Sequence, residues 1–274
     1  MRRPGNKKAA ALLLLAAILA TLLTGCGKDL SFEATSARAA KALAECESVH
    51  AEMSMDIEAT AAILGEELGL DISAAVSMDT DGEAASGEVT IGAFGVTTTA
   101  NYALAKSGDA WDLYISSDGG ATWTVEQGLS LAEANDDVGG VGIDPDVGSI
   151  LGVYLEFAGS VSDPVEETIN GVECRRYDGT MPADKLAEAM GAADGLDTLP
   201  DGTVIKDAPV SIWFDAETDL PVRVSVDLSG AITGISETGN DGSGITVEMK
   251  SLDSAVMTVE LSNYGSAAPT IPQL

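Results

Sequence analysis

The strongest constraint on the fold of this chain is an alternation of apolar and polar residues. In the stretch VHAEMSMDIE, residues 49–58, every second residue is apolar and the residues between them are polar or charged. The same period of two recurs in residues 72–78, 89–93, 96–104, 111–115, 222–228 and 257–261. Because successive side chains of a strand point to opposite faces, the pattern predicts antiparallel strands with one buried and one solvated face.

Other segments depart from this alternation. Residues 34–46, 145–160 and 182–193 carry apolar residues at helical spacing and predict helices. Asn170-Gly171 is a preferred type I′ turn and predicts a hairpin. No repeat with a period of roughly 20 to 50 residues is present in the sequence, which argues against a propeller or a solenoid. The sequence therefore predicts an α+β fold, in which helices pack on one side of a curved antiparallel sheet whose strands follow chain order.

The first residues have the features of an export signal. Four basic residues precede an apolar run at residues 9–23, which is shorter than the roughly twenty residues that span a bilayer. The run ends in LTGC and resembles the bacterial lipobox. This resemblance implies removal of residues 1–25 and attachment of diacylglycerol and palmitate to Cys26; an ordinary signal peptide with a chance cysteine is the alternative. We expect a lipid anchor on the outer face of the cytoplasmic membrane.

The charge of the expected mature chain excludes one class of function. Removing residues 1–25 takes away four of the 14 basic residues and none of the 44 acidic ones, which leaves a net charge of −34. A surface of this charge repels nucleic acid, so a nucleic-acid role is excluded. Hydrophobic residues make up 45% of the chain and its mean hydropathy is +0.16, which predicts a buried core and not disorder.

The length and the cysteine content bound the organisation of the mature chain. We expect a lipidated tether at residues 26–32, a single domain at residues 33–265 and a C-terminal tail at residues 266–274. Two cysteines other than Cys26 are present, Cys46 and Cys174. In an exported, oxidising setting two such cysteines favour pairing, so we expect a disulfide between them, although nothing in the sequence fixes their separation.

The stretch SSDGGATW, residues 116–123, fits the Asp-box pattern S-x-D-x-G-x-T-W, best known from sialidase-type propellers. In a hairpin, Asp118 can accept hydrogen bonds from turn amides, Gly120 tolerates a positive φ and Trp123 packs over the turn. A sialidase would carry several copies and a constellation of arginines, whereas this sequence has one copy and four arginines after residue 25. The pattern therefore predicts a structural turn.

Signals for catalysis and metal binding are weak. The only histidine is His50, and no G-x-S-x-G motif surrounds a serine. The fragments DTDG at residues 79–82 and DPD at residues 144–146 do not complete a calcium loop, and neither a zinc-ligand cluster nor a phosphate-binding loop is present in the sequence. We predict no catalytic residue, no metal and no cofactor. A hydrolase would need a cleft that joins His50 to a serine and a carboxylate.

A second distinctive stretch is VSIWFDAETDLPVRVSVDL, residues 210–228. It reads as a strand, a D-x-x-T-x-L-P turn containing Asp215, Thr218 and Pro221, and another strand. This hairpin, together with the order of tether, helix, long strands, helices and NGVECRRY, resembles the lipoprotein-carrier fold of LolA-like proteins and LppX/LprG-type lipoproteins, which includes uncharacterised Gram-positive lipoproteins. The resemblance spans most of residues 33–264.

The resemblance implies an incomplete, strongly curved β-barrel whose mouth is plugged by helices, with acyl chains, lipoproteins or glycolipids held between sheet and helices. Its lipid-facing positions form no motif, so our cavity candidates come from the alternation. On the sheet these are Met53, Met55, Ile57, Val76, Met78, Ile91, Val224 and Val226. Candidates for a helical lid are Ile150, Leu151 and Tyr154.

The predicted function is that of a lipid-anchored, non-enzymatic cell-envelope protein that binds an acylated or other hydrophobic ligand, such as an acylated lipid or a lipoprotein. The alternation suits an ordinary filled core equally well. The alternative is therefore an interaction or sensory lipoprotein with a filled core that binds a protein or cell-wall partner. The sequence identifies no particular protein partner.

Overall fold

The computed structural model describes residues 28–63, 66–137, 145–146, 152, 161–189, 204–233, 236–238 and 246–273. Helices in these ranges are α1 Phe32–Ala44, α2 Leu131–Asp137 and α3 Ala183–Ala189. The strands are β1 Val49–Ile63, β2 Glu66–Thr80, β3 Ala84–Ala93, β4 Val96–Ser107, β5 Ala110–Ser116, β6 Thr124–Leu129, β7 Val165–Ile169, β8 Val172–Met181, β9 Val204–Ile205, β10 Ala208–Asp215, β11 Pro221–Asp227, β12 Ile232–Thr233, β13 Ser236–Thr238 and β14 Thr246–Ser262.

Several predicted features lie outside the described residues. These are the signal peptide at residues 1–25, the expected lipidation site and the three lid candidates, namely Cys26, Ile150, Leu151 and Tyr154. Of the predicted helix at residues 145–160, only residues 145, 146 and 152 are described. The helices predicted at residues 34–46 and 182–193 correspond to α1 and α3.

The strands form one large antiparallel sheet, which confirms the predicted α+β class. Its order is β6-β5-β4-β3-β2-β1-β14-β11-β10-β8-β7, and β13 pairs with β14 beside this path. The two ends of the order, β6 and β7, are not paired with each other, so the barrel is incomplete. A small second sheet joins β9 and β12.

The predicted chain order of the strands is right within each half of the sheet, since β7, β8, β10, β11 and β14 also neighbour one another in that order, and wrong where the two halves join. Strands β1 to β6 are neighbours in chain order. The last strand, β14, instead lies between β1 and β11, with registers that include His50↔Ser262 beside β1 and Arg223↔Glu260 beside β11. The alternation predicts which face a side chain occupies, but it contains no information about which strand lies alongside.

One face of the sheet carries the core, and α1 crosses it. Phe32 at the start of the helix contacts Tyr177 edge-on, with ring centroids 5.6 Å apart, and Tyr177 contacts Phe214 in the same way at 5.7 Å. Ala39, about two helical turns after Phe32, is fully buried in the same core. Ser31 caps the helix by accepting a hydrogen bond from the Ala34 N–H. Since 13 residues of helix measure about 20 Å, α1 spans the sheet from β8 to β1.

The expected disulfide is not formed, because Cys46 and Cys174 are both free thiols. Cys46 follows α1, while Cys174 lies on β8 in a separate small cluster with Ile169 and Trp213. Strands β14, β11 and β10 lie between β1 and β8 in the sheet. The expectation rested on the oxidising compartment alone, and the fold places the two thiols on different elements.

Candidate functional site

A cavity of about 460 Å³ lies between α1 and one end of the sheet. Its apolar lining comes from the last turns of α1, the start of β1 and the segment after β14, namely Ala40, Leu43, Ala44, Val49 and Tyr264. The three helical residues share one face because they stand three and four positions apart. The cavity therefore forms where the helix leaves the sheet and the chain turns into its first strand.

The wall opposite the helix is the turn between β2 and β3. The Thr80 Oγ1 lies 2.9 Å from the Ala84 carbonyl oxygen and 2.8 Å from that of Pro145, and it accepts a hydrogen bond from the Gly82 N–H. Asp81 accepts further bonds from the N–H groups of residues 83 and 84 through its Oδ1. These bonds hold the turn and Pro145 together as one wall of the cavity.

The rim of the cavity is acidic. The carboxylates among its described lining residues are Glu47, Asp81 and Asp146, and that described lining contains no lysine, arginine or histidine. An anionic group at the rim would meet charges of the same sign, whereas a neutral or cationic group would not. The arrangement suits an amphipathic ligand whose polar end is not an anion.

Two titratable side chains of the cavity are held neutral. Burial, followed by the neighbouring Glu45 carboxylate, raises the pKa of the Cys46 thiol, so this cysteine is a poor nucleophile. Burial also raises the pKa of Tyr264, whose hydroxyl donates a hydrogen bond of 2.6 Å to the Pro221 carbonyl oxygen. Neither of these two side chains is therefore an activated nucleophile.

The cavity candidates on the sheet do not line this site. Val76, Met78, Val224 and Val226 are at most 5% exposed and belong to the core. The other four, Met53, Met55, Ile57 and Ile91, are partly buried and pack against that core. None of the eight lines the 460 Å³ cavity. The alternation marks the buried face, and the helices already fill much of the space above it.

The sequence analysis did not identify the residues that line the cavity, because the alternation does not distinguish them from other buried positions. Val49 begins the first alternating stretch, and Leu43 belongs to the predicted helix, but neither position is distinguished from other core positions. Tyr264 follows the last strand in a segment without periodicity. Only the angle at which α1 approaches β1 brings the three together.

The Asp-box stretch forms a closed hydrogen-bonded turn between β5 and β6. The Asp118 carboxylate accepts bonds from the Thr122 N–H at 2.9 Å, the Thr122 hydroxyl at 2.6 Å and the Ser116 hydroxyl at 2.7 Å. Gly120 has a φ of 87°, and its carbonyl oxygen accepts a bond from the Trp123 indole N–H. Every specified residue of the pattern is used within the turn.

These bonds predict an unusually acidic carboxyl group at Asp118. The Thr122 hydroxyl, the Thr122 N–H and the Ser116 hydroxyl lower the pKa of Asp118 to about 2. A carbon-detected NMR titration of the side-chain carboxyl should give this value in the wild type. In Thr122→Val, which keeps the shape of the side chain but removes the strongest donor, the pKa should rise toward the ordinary value of about 3.9. A wild-type pKa near 4 would contradict the turn geometry.

The other predicted turns are also occupied by structural bonds. Asn170 and Gly171 have φ values of 51° and 85°, as a type I′ turn between β7 and β8 requires. In the hairpin between β10 and β11, the Asp215 Oδ1 accepts bonds from the N–H groups of Glu217 and Thr218 at 2.7 and 2.9 Å. Pro221 then begins β11.

Asp219 lies in the same hairpin, although the motif did not single it out. Its carboxylate forms ion pairs with three basic side chains. Its side chain is 5% exposed and contacts the Lys28 Nζ at 2.8 Å, the Arg38 Nε at 2.6 Å and the Arg175 Nη2. Burial opposes its ionisation, but hydrogen bonds from Arg38, Lys28 and Arg175 outweigh burial and lower the pKa of Asp219. This one carboxylate joins the tether, α1, β8 and the hairpin.

The single histidine lies on the polar face of the sheet, with carboxylates at both ring nitrogens. Its Nδ1 is 2.7 Å from Asp79 Oδ1 and its Nε2 is 3.4 Å from Glu52 Oε1. Burial lowers the pKa of His50, but the hydrogen bonds to Asp79 and Glu52 outweigh it and raise the pKa overall. A histidine paired on both sides with carboxylates has no serine to activate.

Two kinds of feature are absent from the described part of the chain. There, none of the helices is both long and apolar enough to cross a membrane. Within the same residues, no three histidine, cysteine, aspartate or glutamate side chains come together in a way that could hold a metal ion.

Neither a known protein family nor a curated protein matches the sequence. Solved structures similar to this chain include the lipoprotein LppX of Mycobacterium tuberculosis, with a TM-score of 0.47 and 15% identity over 89% of this chain and 100% of LppX. LprF of Mycobacterium bovis has a TM-score of 0.44 and 14% identity over 88% of this chain and 96% of LprF.

A protein of the DUF1329 family from Desulfovibrio piger is also similar, with a TM-score of 0.27 and 12% identity over 88% of this chain and 93% of that protein. LppX gives its name to the type of lipoprotein that the sequence resembles. All three TM-scores lie below 0.5, so the fold assignment depends on the strand order and registers of the sheet itself.

Proposed function

We propose that this chain is a lipid-anchored, non-enzymatic protein of the cell envelope that binds the acyl chain of an amphipathic ligand. The observation that carries the proposal is the cavity of about 460 Å³ between α1 and the sheet. Its volume falls within the range of about 300–1,000 Å³ typical of small-molecule sites. Its lining is apolar at the helix and acidic at the rim.

The size of the cavity limits what it can hold. At about 30 Å³ per water-sized unit, the volume has room for about fifteen heavy atoms. This corresponds to one acyl chain and not to a whole diacyl lipid. Each buried CH₂ contributes about 0.8 kcal/mol, so a chain seated along Leu43, Val49 and Tyr264 can be held without any charged contact.

The anchor and the absence of catalysis are part of the same proposal. The lipobox-like LTGC supports acylation of Cys26 and placement on the outer face of the cytoplasmic membrane. Two acyl chains on one residue make a stable anchor. The neutral thiol of Cys46 and the carboxylate-paired His50 support a binding role without chemistry.

Filling the cavity should abolish binding. Ala40 lines the cavity and Ala37 is an exposed residue of the same helix that does not. In Ala40→Trp the indole occupies the space that the acyl chain would take, so we expect affinity for a pyrene-labelled monoacylglycerol to fall at least tenfold. The neutral monoacylglycerol is the probe because the rim is acidic. Fluorescence titration of the delipidated chain from Gly27 onward measures the affinity.

The matched control is Ala37→Trp, which adds the same indole at an exposed position one turn earlier on the helix, outside the cavity lining, and should bind the probe as the wild type does. Circular dichroism melts of both variants check that the fold is unchanged. Equal affinity in the two tryptophan variants would place any binding elsewhere. A wild-type protein that binds no acylated probe, and carries none by native mass spectrometry, would refute the proposal.

The alternative function, an interaction or sensory lipoprotein with a filled core, is favoured by one observation. Four of the sheet positions expected to face a ligand, Val76, Met78, Val224 and Val226, are fully packed. In that case the cavity at the end of α1 would be a surface depression without a ligand. The titration above separates the two functions, since only the first requires saturable binding of the monoacylglycerol.

A further inference from the structure

The chain ahead of α1 is held against the domain by several bonds. The Lys28 Nζ contacts the Asp219 carboxylate at 2.8 Å. The Leu30 carbonyl oxygen accepts a hydrogen bond of 2.8 Å from the Tyr177 hydroxyl, and Tyr177 is fully buried. Asp29 accepts a bond from the Ser31 N–H at 2.9 Å. Residues 28–31 are therefore part of the folded structure and do not form a free linker.

The carboxylate that holds Lys28 is itself held in place. Asp219 has a φ of 63°, in the left-handed region, and its side chain is 5% exposed. Arg175, whose side chain is 6% exposed, and Arg38 of α1 share the same carboxylate. Arg38 also donates a bond of 3.1 Å to the Thr35 hydroxyl. We call Lys28, Arg38, Arg175 and Asp219 the tether cluster.

The tether cluster lies at the same end of the sheet as the cavity. Asp219 belongs to the β10–β11 turn, which stands beside the end of β14 and the start of β1. Tyr264, a cavity residue, donates its hydroxyl hydrogen to the carbonyl of Pro221, two residues after Asp219. The β2–β3 turn, another wall of the cavity, lies at this end as well. We call this end the tether end.

We propose that the tether cluster fixes the orientation of the protein on its membrane, with the tether end against the phospholipid headgroups of the outer leaflet. The inference rests on the proposed lipidation of Cys26. Lys28 is two positions after Cys26, and two residues of chain span at most about 7 Å. An acylated Cys26 therefore holds Lys28 within about 7 Å of the anchoring position. Because the tether cluster is part of the folded domain, this short distance also restricts how the domain can be oriented on the membrane.

This orientation has a consequence for ligand exchange. The mouth of the cavity would face the bilayer, so that an acyl chain could pass between membrane and cavity without crossing bulk water. The opposite end of the sheet, which carries Phe94 and Val96 with 71% and 67% of their surfaces exposed, would point away from the membrane. Along β4 the two ends are about 33 Å apart, at about 3.3 Å per residue.

Energy transfer on vesicles tests the orientation. Full-length lipidated protein, with Cys46 and Cys174 replaced by serine and alanine, is labelled with a donor at Asp109→Cys or at Thr97→Cys. Both sites are exposed; Asp109 lies in the β4–β5 turn at the tether end and Thr97 lies ten residues before the end of β4, at the far end. The vesicles are phosphatidylcholine with a headgroup-labelled acceptor lipid. We expect at least twofold higher transfer from residue 109 than from residue 97.

Lys28→Ala should narrow the difference between the two transfer efficiencies, because the chain is then fixed to the domain only from Leu30 onward, through the Tyr177 hydroxyl, and the free tether is about two residues longer. Lys41→Ala is the control, since Lys41 is an exposed lysine of α1 paired only at 3.9 Å with Glu45, and it should preserve the difference. Equal transfer in the wild type, or a difference that Lys28→Ala leaves unchanged, would overturn the inference. Flotation with the vesicles is scored separately, because protein that fails to float contradicts the lipid anchor and so the proposed function.

Discussion

Asp219→Ala should lower the free energy of unfolding by about 3–5 kcal/mol, the range found when one partner of a buried ion pair is removed. Arg175, with a side chain 6% exposed, would lose its carboxylate and keep only carbonyl partners. Alanine would also have to adopt the left-handed backbone of this position, where φ is 63°. Urea unfolding of the chain from Gly27 onward measures the loss.

Two further variants separate the charge from the backbone. Asn tolerates the left-handed conformation and Gly adopts it without steric strain, so Asp219→Asn and Asp219→Gly should each be less destabilising than Asp219→Ala. The pKa of Asp219 is lowered in the folded state, so its charge stabilises fully above the unfolded value of about 3.9 and progressively less as the pH falls through the folded value. The stability difference between wild type and Asp219→Asn should therefore be constant above about pH 4 and shrink below it. An Asn variant as stable as the wild type at pH 7 would show that the charge contributes nothing.

Gly87→Ala should be more damaging than the same addition of a methyl group at Gly69 or Gly92. A Cβ at this position would overlap the Ser77 carbonyl oxygen and lie 2.7 Å from its carbon and 3.1 Å from the Met78 Cα. All three atoms are backbone, so β2 and β3 would have to separate at the centre of the core. We expect a loss of at least about 3 kcal/mol, at the upper limit of ordinary overpacking, measured by urea unfolding.

Two other strand glycines provide matched controls. Gly69 of β2 has nothing within 4 Å of the position where a Cβ would stand, so Gly69→Ala should change stability by less than about 0.5 kcal/mol. At Gly92 the added atom would meet only the hydroxyl end of Ser73, which can rotate away, so Gly92→Ala should fall between the two. A Gly87→Ala protein as stable as Gly69→Ala would mean that β2 and β3 approach less closely than described.

The fold class could be predicted because period-two alternation is a direct record of strand faces. The buried and half-buried residues of β1, such as Ala51 and Met53, are those that the pattern assigns to one face. The partner of a strand is not recorded in the same way, so the pairing of β14 with β1 was not predicted, although its pairing with β11 follows chain order. The position of the cavity depends on how α1 crosses the sheet, which no local pattern encodes.

Asp219 shows the same limit at the level of one residue. In the sequence it is the middle letter of TDL within a turn motif, and one of 44 acidic residues. Its importance arises from Lys28, Arg38 and Arg175, which stand 191, 181 and 44 positions away along the chain, by subtraction of the residue numbers. A charge pairing over such separations can be recognised only after the chain has folded.

The pairing of β1 with β14 bears on how the protein must be made. These strands share 14 register pairs, from His50↔Ser262 to Ile63↔Val247. Strand β1 therefore cannot complete its pairing until β14 has been synthesised. Folds dominated by contacts this distant in sequence fold slowly, on the scale of milliseconds to seconds. Until β14 arrives, β1 and β11 each present an unpaired edge. In the export that we propose for this chain, the delay would keep the sheet from closing around its centre before β14 has crossed the membrane.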